Sequence, residues 1–258
     1  MDDKKRILDL AVKAGEILLK NGAEIFRVQD TMTIIANTYN VHDFNVYVIS
    51  NGIFASINED KENHYTEVKH IPLSPVHLGR VAAVNSLSRE IAEGKYTVDE
   101  AILELKKIET IPYSKNFSQI LSSGIGSACF CYIFGGTFYD SIISFISGIL
   151  LYVFITSVSK IKMSKIMINI LGSSLVTLCG ILLLRLGFGN NLDKVIIGSI
   201  IPLVPGVPLT TSIRDFLNGD YLSGTIRLID ALLIAFCIAL GVGIVFKVFN
   251  IFGGVVIW

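Results

Sequence analysis

Three prolines recur at intervals of three residues in an apolar stretch: Pro202, Pro205 and Pro208, with Gly206 after the middle one. A proline inside a helix removes a backbone hydrogen bond and clashes with the preceding turn, which costs about 3 kcal/mol in a soluble helix. The spacing therefore predicts a broken helix. At membrane depth, free carbonyl groups persist only beside buried protein or a water-filled cavity. Such breaks bind solutes and coupling ions, although a kinked structural helix or a re-entrant elbow has the same spacing.

Polar and charged side chains follow the break closely. Thr210 and Thr211 supply hydroxyl groups near it. The charged residues beyond them are Arg214, Asp215, Asp220, Arg227 and Asp230. A charge inside a membrane span costs about 2.5–3.5 kcal/mol on insertion scales, and pairing reduces that cost. We expect Arg227 or Arg214 to pair with Asp230 at the membrane boundary, or this group of residues to act in gating.

Arg185 stands apart from the other charges. It follows nineteen uncharged residues, and no carboxylate lies near it in the sequence. Its long side chain can extend to the outer membrane surface. Alternatively, its guanidinium can pair with an anionic carboxylate of a solute.

The elements that carry these residues are predicted from the distribution of charge. Residues 1–115 hold 14 Lys and Arg and 17 Asp and Glu, whereas the remaining residues hold 8 and 5. Residues 116–159 contain a single charge, Asp140. About 20 apolar residues cross a hydrocarbon core of roughly 30 Å. The pattern predicts a polytopic α-helical membrane domain over residues 116–258, with spans near 119–138, 141–159, 166–188, 195–213 and 226–249.

Residues 1–115 have the periodicity of an α+β domain. Two amphipathic helices, an antiparallel sheet and two further helices are predicted in that order. Asn51-Gly52 lies between alternating apolar runs, which predicts a hairpin turn there. Thr97 and Glu100 predict a capping box at the start of the last helix. Glu24, Arg27 and Asp30 recur on one helix face, where we expect solvated ion pairs.

No pattern in the sequence indicates catalysis. The four histidines are scattered without the spacing of metal ligands, and there is no P-loop or nucleophile elbow. The net charge of +0 argues against nucleic-acid binding. We therefore expect no enzyme activity, no metal, no cofactor and no direct use of ATP.

The orientation follows from Lys160, Lys162 and Lys165, between the second and third predicted spans. Cationic clusters in short loops stay in the cytoplasm, so the N-terminal domain is predicted to be cytoplasmic and Trp258 to lie outside. Five spans make a poor closed bundle and fit half of a transporter. A second small membrane subunit, a homo-oligomer or both would then complete the pathway within the lipid bilayer.

Several segments resemble one known family. The stretch PLVPGVPLTTSIRDFLNGDYLSGTIRL is similar to the signature of the threonine/serine exporter (ThrE) family, and GAEIFRVQDTM and HLGRVAAVNSLSREIAEG are similar to its soluble-domain motifs. The resemblance implies a bacterial inner-membrane secondary exporter of threonine and serine, with related two-subunit members linked to export of succinate. Full-length members continue into a second membrane region, so the chain resembles the larger subunit of the split form. By position, the resemblance points to Pro202, Pro205, Gly206, Thr210, Arg214, Asp215, Gly219, Asp220 and Arg227.

The function expected is export of a small amino acid, threonine or serine, by alternating access driven by an ion gradient. The substrate carboxylate would lie at a half-helix N-terminus between Pro205 and Thr211, with Arg214 or Arg185 as a cationic partner. One alternative is export of a dicarboxylate such as succinate. Another is a membrane-anchored enzyme or a sensor that uses the domain of residues 1–115.

Overall fold

The computed structural model describes residues 3–58, 64–72, 74–158 and 163–252. The chain forms two compact units. The first unit comprises Met1–Tyr113 and Leu209–Leu228, and the second comprises Ser114–Pro208 and Ile229–Trp258. Lys160 and Lys162, on which the predicted orientation depends, lie outside the described residues, as does Trp258, which that orientation places outside the cell.

The first unit begins with two helices, continues with a three-stranded sheet and returns to two helices. The strands pair antiparallel in the order β1-β2-β3. The elements are α1 (Asp3–Lys20), α2 (Ile25–Thr38), β1 (Phe44–Ile49), β2 (Gly52–Asn58), β3 (His64–His70), α3 (Leu78–Ala92) and α4 (Val98–Glu109). The capping box is confirmed: the Glu100 N–H donates to the Thr97 hydroxyl, and the Glu100 carboxylate accepts from the Thr97 N–H.

The β1–β2 hairpin turns one residue earlier than predicted. Ile49 pairs with Gly52, so the loop is Ser50-Asn51 instead of Asn51-Gly52. In this register Val48 faces Ile53, and each inward pair of the hairpin is apolar. A turn at Asn51-Gly52 would instead place Ser50 opposite Ile53. Burial of the inward face therefore decides the register over the local turn preference.

The core of the first unit lies between the sheet and the apolar faces of α1 and α2. Gly15 of α1 lies in tight contact with α2 and β2, since a Cβ there would lie 2.4 Å from Met32 Sδ of α2 and 3.1 Å from Ile53 Cδ1 of β2. A side chain at this position would have to displace its neighbours in a packed interior. The glycine therefore allows α1 to lie directly against α2 and β2.

The regular elements described in the second unit are all helices. Its elements are α5 (Asn116–Ile133), α6 (Phe138–Val158), α7 (Lys165–Arg185), α8 (Leu192–Ile200) and a 3₁₀ turn (Ile201–Leu203). The last two helices, α9 (Gly206–Leu217) and α10 (Tyr221–Ile251), divide between the two units.

Three helices among the described residues are long and apolar enough to cross a membrane: α6, α7 and α10. A fourth span results if Leu192–Leu203 and Gly206–Leu217, which form a bent pair, count together. The remaining predicted span, near 119–138, corresponds to α5. That helix is less apolar than the other three, because serine, glycine and glutamine residues interrupt its apolar sequence. The count of five spans therefore stays a prediction.

Small residues let the helices of the second unit approach closely. A Cβ on Gly148 of α6 would lie 2.4 Å from Ser127 Oγ of α5, and one on Gly198 of α8 would lie 2.7 Å from Cys131 Cβ. The Ser123 hydroxyl donates to the Gly148 carbonyl at 2.9 Å. Helices in membranes associate through such close contacts and hydrogen bonds, since lipid gives no hydrophobic drive between them.

Asp140, the single charge of residues 116–159, is fully buried at the start of α6. Its carboxylate accepts hydrogen bonds from the Thr137 N–H and hydroxyl, each at 2.8 Å. It also accepts from the Asn190 N–H at 2.8 Å, the Asn191 N–H at 3.2 Å and the Asn191 side-chain amide at 2.9 Å. The buried anion thus fixes the α5–α6 turn to the loop that precedes α8.

Candidate functional site

The predicted helix break is confirmed between α8 and α9. Pro202 and Pro205 have no N–H, so the carbonyls of Gly198 and Ile201 cannot make the usual α-helical bonds to them. Both carbonyls accept 3₁₀-type bonds instead, from the Ile201 N–H and from the Val204 N–H at 3.0 Å. The loss of two donors thus tightens the last turn of α8 before the chain leaves the helix.

Pro208 does not contribute to the break. It is the third residue of α9, whose first residue is Gly206. An N–H in the first turn of a helix has no intrahelical partner, so proline is tolerated there. Between the 3₁₀ turn and α9, the two residues without helical structure are Val204 and Pro205.

A cavity of about 420 Å³ lies beside the break, within the second unit. Ligand pockets typically have volumes of about 300–1,000 Å³. The cavity is lined by Ser114, Ser118, Gln119, Ser122, Ser123, Gly126, Tyr152, Ile201 and Pro202. The lining combines one face of α5 with a tyrosine of α6 and the 3₁₀ turn.

A fixed amide lies in this cavity. The Tyr152 hydroxyl donates to Gln119 Oε1 at 2.7 Å, and Gln119 Nε2 donates to the Ser114 carbonyl at 2.8 Å. Of the lining residues that the structure describes, none carries a formal charge. We did not expect the α5 residues from the sequence. The signal was present in Ser118, Ser122 and Gly126, which recur every four residues and therefore share a helix face.

A second group of predicted residues lies in the first unit, around Asp215 of α9. The Asp215 side chain is fully buried, and Arg227 Nη1 of α10 lies 3.3 Å from its Oδ2. Within the described part of the chain, neither carboxylate oxygen has a hydrogen-bond partner of ordinary geometry. Arg227 Nη2 also donates to the Ala23 carbonyl at 3.1 Å. The ion pair thus joins the α9–α10 hairpin to the start of α2.

Glu24 completes this group, which we call the charge cluster (Glu24, Arg214, Asp215 and Arg227). Glu24 Oε1 pairs with the Arg214 guanidinium, and Glu24 Oε2 lies 3.8 Å from Arg27 Nε. The Glu24 side chain is only 16% exposed, so it does not belong to a solvated face as predicted. The sequence assigned Glu24 no site role, because Arg214 is 190 residues away.

Asp220 lies in the short turn between α9 and α10. Gly219 precedes it with a positive φ of 85°, a conformation that favours glycine. The Asp220 N–H donates to the Asp215 carbonyl at 2.9 Å. This turn lets Asp215 and Arg227 face each other across the hairpin.

Two further predicted charged residues, Asp230 and Arg185, make their contacts away from the charge cluster. Asp230 pairs with Lys165 at 2.8 Å, so the expected pair of Asp230 with Arg227 or Arg214 is wrong. Arg227 pairs with Asp215 instead, because a fully buried carboxylate needs a counter-charge more than a partly exposed one does. Arg185 places its guanidinium 4.3 Å from the centre of the Phe249 ring, a cation–π contact.

The other predicted residues follow the chain through the break. Pro202 lines the cavity, and Pro205 and Gly206 lie where α8 and α9 separate. Pro208, Thr210 and Thr211 lie in the first turns of α9. Among the described residues, no group of three or more His, Cys, Asp or Glu side chains could hold a metal ion.

Comparison with known proteins identifies relatives over nearly the whole chain. Residues 9–249 match the ThrE family model, described as "Putative threonine/serine exporter". The chain is 22% identical over 245 residues to the threonine/serine exporter of Corynebacterium glutamicum, covering 92% of this chain and 50% of that protein. It is 21% identical over 243 residues to the probable threonine/serine exporter of Mycobacterium tuberculosis, covering 92% and 45%. The chain thus spans about half the length of these exporters.

A third relative matches along its full length. The chain is 21% identical over 263 residues to the probable succinate transporter subunit YjjP of Escherichia coli K12, covering 98% of this chain and 99% of that protein. No solved structure matches the chain. The family model and the apolar helices agree on a multi-pass membrane protein of a transporter family. The chain belongs to the threonine/serine exporter (ThrE) family.

Proposed function

We propose that this chain is a secondary-transporter subunit that exports threonine and serine across the inner membrane, driven by an ion gradient. The observation that carries the proposal is the proline break between α8 and α9, which lies beside a polar cavity in an otherwise apolar helical unit. Broken helices at membrane depth are the usual site of substrate binding in secondary transporters. The sequence contains no Walker A motif, so an ion gradient is the proposed energy source.

The relatives support this substrate class. Two of them, from C. glutamicum and M. tuberculosis, are named threonine/serine exporters. We propose Pro202, Pro205 and Gly206 as residues of the substrate pathway. In this proposal Arg214 becomes available to a substrate only when its ion pair with Glu24 opens.

We further propose that the domain of residues 1–115 lies in the cytoplasm and that the C-terminus lies outside, with five spans. The lysines of residues 160–165 support this orientation, because cationic loops stay in the cytoplasm. A second small membrane subunit, a homo-oligomer or both would complete the pathway. The name of the YjjP relative, a transporter subunit, supports the need for a partner.

Export of a dicarboxylate such as succinate is the second candidate function. The specific observation in its favour is the match to YjjP, which covers 99% of that protein. The same transport experiment separates the two candidates, since each predicts a different labelled substrate.

The test measures efflux of labelled threonine, serine and succinate from cells that express the chain, with and without the membrane protein that co-purifies with it. We expect threonine and serine to leave faster than from empty cells, and an ionophore to abolish the difference. Pro205→Ala should lower efflux at equal membrane abundance, while Pro72→Ala, at an exposed proline after β3, should not. Efflux of succinate alone would support the second candidate, and unchanged efflux of all three would contradict both.

A further inference from the structure

We infer that the cavity beside the break is the amino-acid binding site of the exporter, and that Gln119, oriented by Tyr152, determines its preference for a zwitterion over a dicarboxylate. The inference rests on the proposed function and adds the binding residues and the basis of selectivity. It assigns a role to α5, the helix that the proline motif does not include.

The first step concerns the polar face of α5. Ser118, Ser122 and Gly126 recur every four residues and line the cavity together with Gln119. Polar groups in the membrane region are costly unless a partner or water satisfies them. Ser118 and Ser122 are exposed, unlike Ser123 and Ser127 of the same helix, so close helix packing does not account for this face. The residues of this face make α5 less apolar than α6, α7 and α10.

The second step concerns space. A Cβ built on Gly126 meets no atom within 4 Å, whereas one on Gly124, two residues earlier, would lie 2.8 Å from Ile149 Cγ1. Gly124 is thus a packing glycine, and Gly126 leaves open volume at the cavity. The volume of about 420 Å³ accommodates an amino acid of the size of serine or threonine.

The third step concerns the donor groups. A glutamine amide has two N–H donors, and the described contacts of Gln119 use one of them, to the Ser114 carbonyl. The Tyr152 hydroxyl holds Oε1, so the amide cannot rotate freely. The second N–H can therefore donate to a ligand carboxylate. The hydroxyls of Ser118 and Ser122 donate or accept, so they suit both an ammonium group and a side-chain hydroxyl.

The fourth step concerns charge. A zwitterion has no net charge, and neutral hydroxyl and amide groups can satisfy its two ionic ends. Succinate carries two negative charges, and none of the described residues that line the cavity offers a positive one. An anion that leaves water without a counter-charge pays a large desolvation penalty. The lining therefore favours a small hydroxyl-bearing amino acid.

The experiment measures equilibrium binding of labelled L-threonine to the purified full chain in nanodiscs, with serine and succinate as competitors. We expect serine to compete and succinate not to compete. Gln119→Leu should weaken threonine binding about tenfold or more, because it removes a hydrogen bond to a charged group. Tyr152→Phe should weaken it less, since it only frees the amide to rotate. Tyr139→Phe, on the same helix but outside the cavity, should bind as the wild type does.

A second variant guards against misfolding. Gly126→Leu fills the open volume and keeps the polar groups that the other variants remove, so it should abolish binding while the protein elutes as a folded species. Wild-type affinity in both Gln119→Leu and Gly126→Leu would overturn the inference. So would a wild-type chain that exports threonine from cells but does not bind it when purified together with its co-purifying membrane protein. A wild-type chain that neither exports nor binds threonine and serine would overturn the proposed function instead.

Discussion

The Arg227 guanidinium lies 3.3 Å from the carboxylate of Asp215, across the hairpin of α9 and α10. The Asp215 side chain is 0% exposed and that of Arg227 is 13% exposed, so neither charge has full access to water. The same guanidinium also donates to the Ala23 carbonyl at the start of α2. The ion pair thus fixes a hairpin at the end of the sequence to a helix near its beginning.

Removal of one partner of this pair should destabilise the protein strongly. Arg227→Ala leaves the Asp215 carboxylate buried without its counter-charge, which costs about 3–5 kcal/mol. The double variant Asp215→Ala/Arg227→Ala should be more stable than Arg227→Ala alone, because it leaves no buried charge behind. Thermal unfolding of the detergent-purified chain measures the difference. Arg89→Ala, at an exposed position of α3, is the control. Equal unfolding temperatures for the single and double variants would show that the two charges are independent.

Asp140 should be essential for folding of the second unit. Asp140→Ala removes the acceptor of hydrogen bonds from Thr137, Asn190 and Asn191, and a hydrogen bond to a charged group contributes about 1.5–3 kcal/mol. We expect little folded protein after detergent extraction, measured by size-exclusion chromatography of a fluorescent fusion. Asp193→Ala is the matched control, since its side chain is 47% exposed and its ion pair among the described residues is with the adjacent Lys194. A monodisperse Asp140→Ala peak of wild-type height would refute the prediction.

The contact between α5 and α6 should not tolerate a larger residue at Gly148. A Cβ there would lie 2.4 Å from Ser127 Oγ and 2.9 Å from the Ser123 carbonyl, which belongs to the backbone and cannot rotate away. We expect Gly148→Val to lower stability by about 1–3 kcal/mol or more. Gly126→Ala, in open space on α5, should leave the unfolding temperature near that of the wild type. Equal unfolding temperatures for Gly148→Val and Gly126→Ala would show that the helices do not meet at Gly148.

The capping box of α4 should contribute a pH-dependent stability. The N–H of Thr97, and then its hydroxyl, hold the pKa of Glu100 below its usual range, since both donate to the ionised carboxylate. The stabilisation is therefore complete above the pKa of Glu100 in the unfolded chain and is lost as the pH falls through the lower, folded value. The difference in unfolding temperature between the wild type and Glu100→Gln should be constant near neutral pH and shrink in mild acid. A difference that grows on acidification would have the wrong sign.

Local chemistry explains what could be predicted from the sequence. The absent N–H groups of Pro202 and Pro205 act on carbonyls within four residues, so the break was predictable without any tertiary information. Thr97 and Glu100 likewise form their box within three residues. The turn of the β1–β2 hairpin was misplaced by one residue, because pairing with the core outweighed the local preference of Asn51-Gly52.

Partner choice could not be predicted, because it depends on burial and on contacts between distant segments. Arg227 has Asp230 three residues away, yet it pairs with Asp215, and Asp230 pairs with Lys165. Glu24 was predicted to lie on a solvated helix face, but in the structure it is largely buried and pairs with Arg214.

The sequence by itself determined the membrane character of the chain, the position of its proline break and its family, since these follow from composition and short-range patterns. The tertiary structure decided which polar residues surround the break. Ser118, Ser122 and Gly126 on α5 have the spacing of one helix face, but only packing brings Tyr152 and Pro202 against that face. A cavity is defined by the space between elements, and that space depends on how distant segments pack.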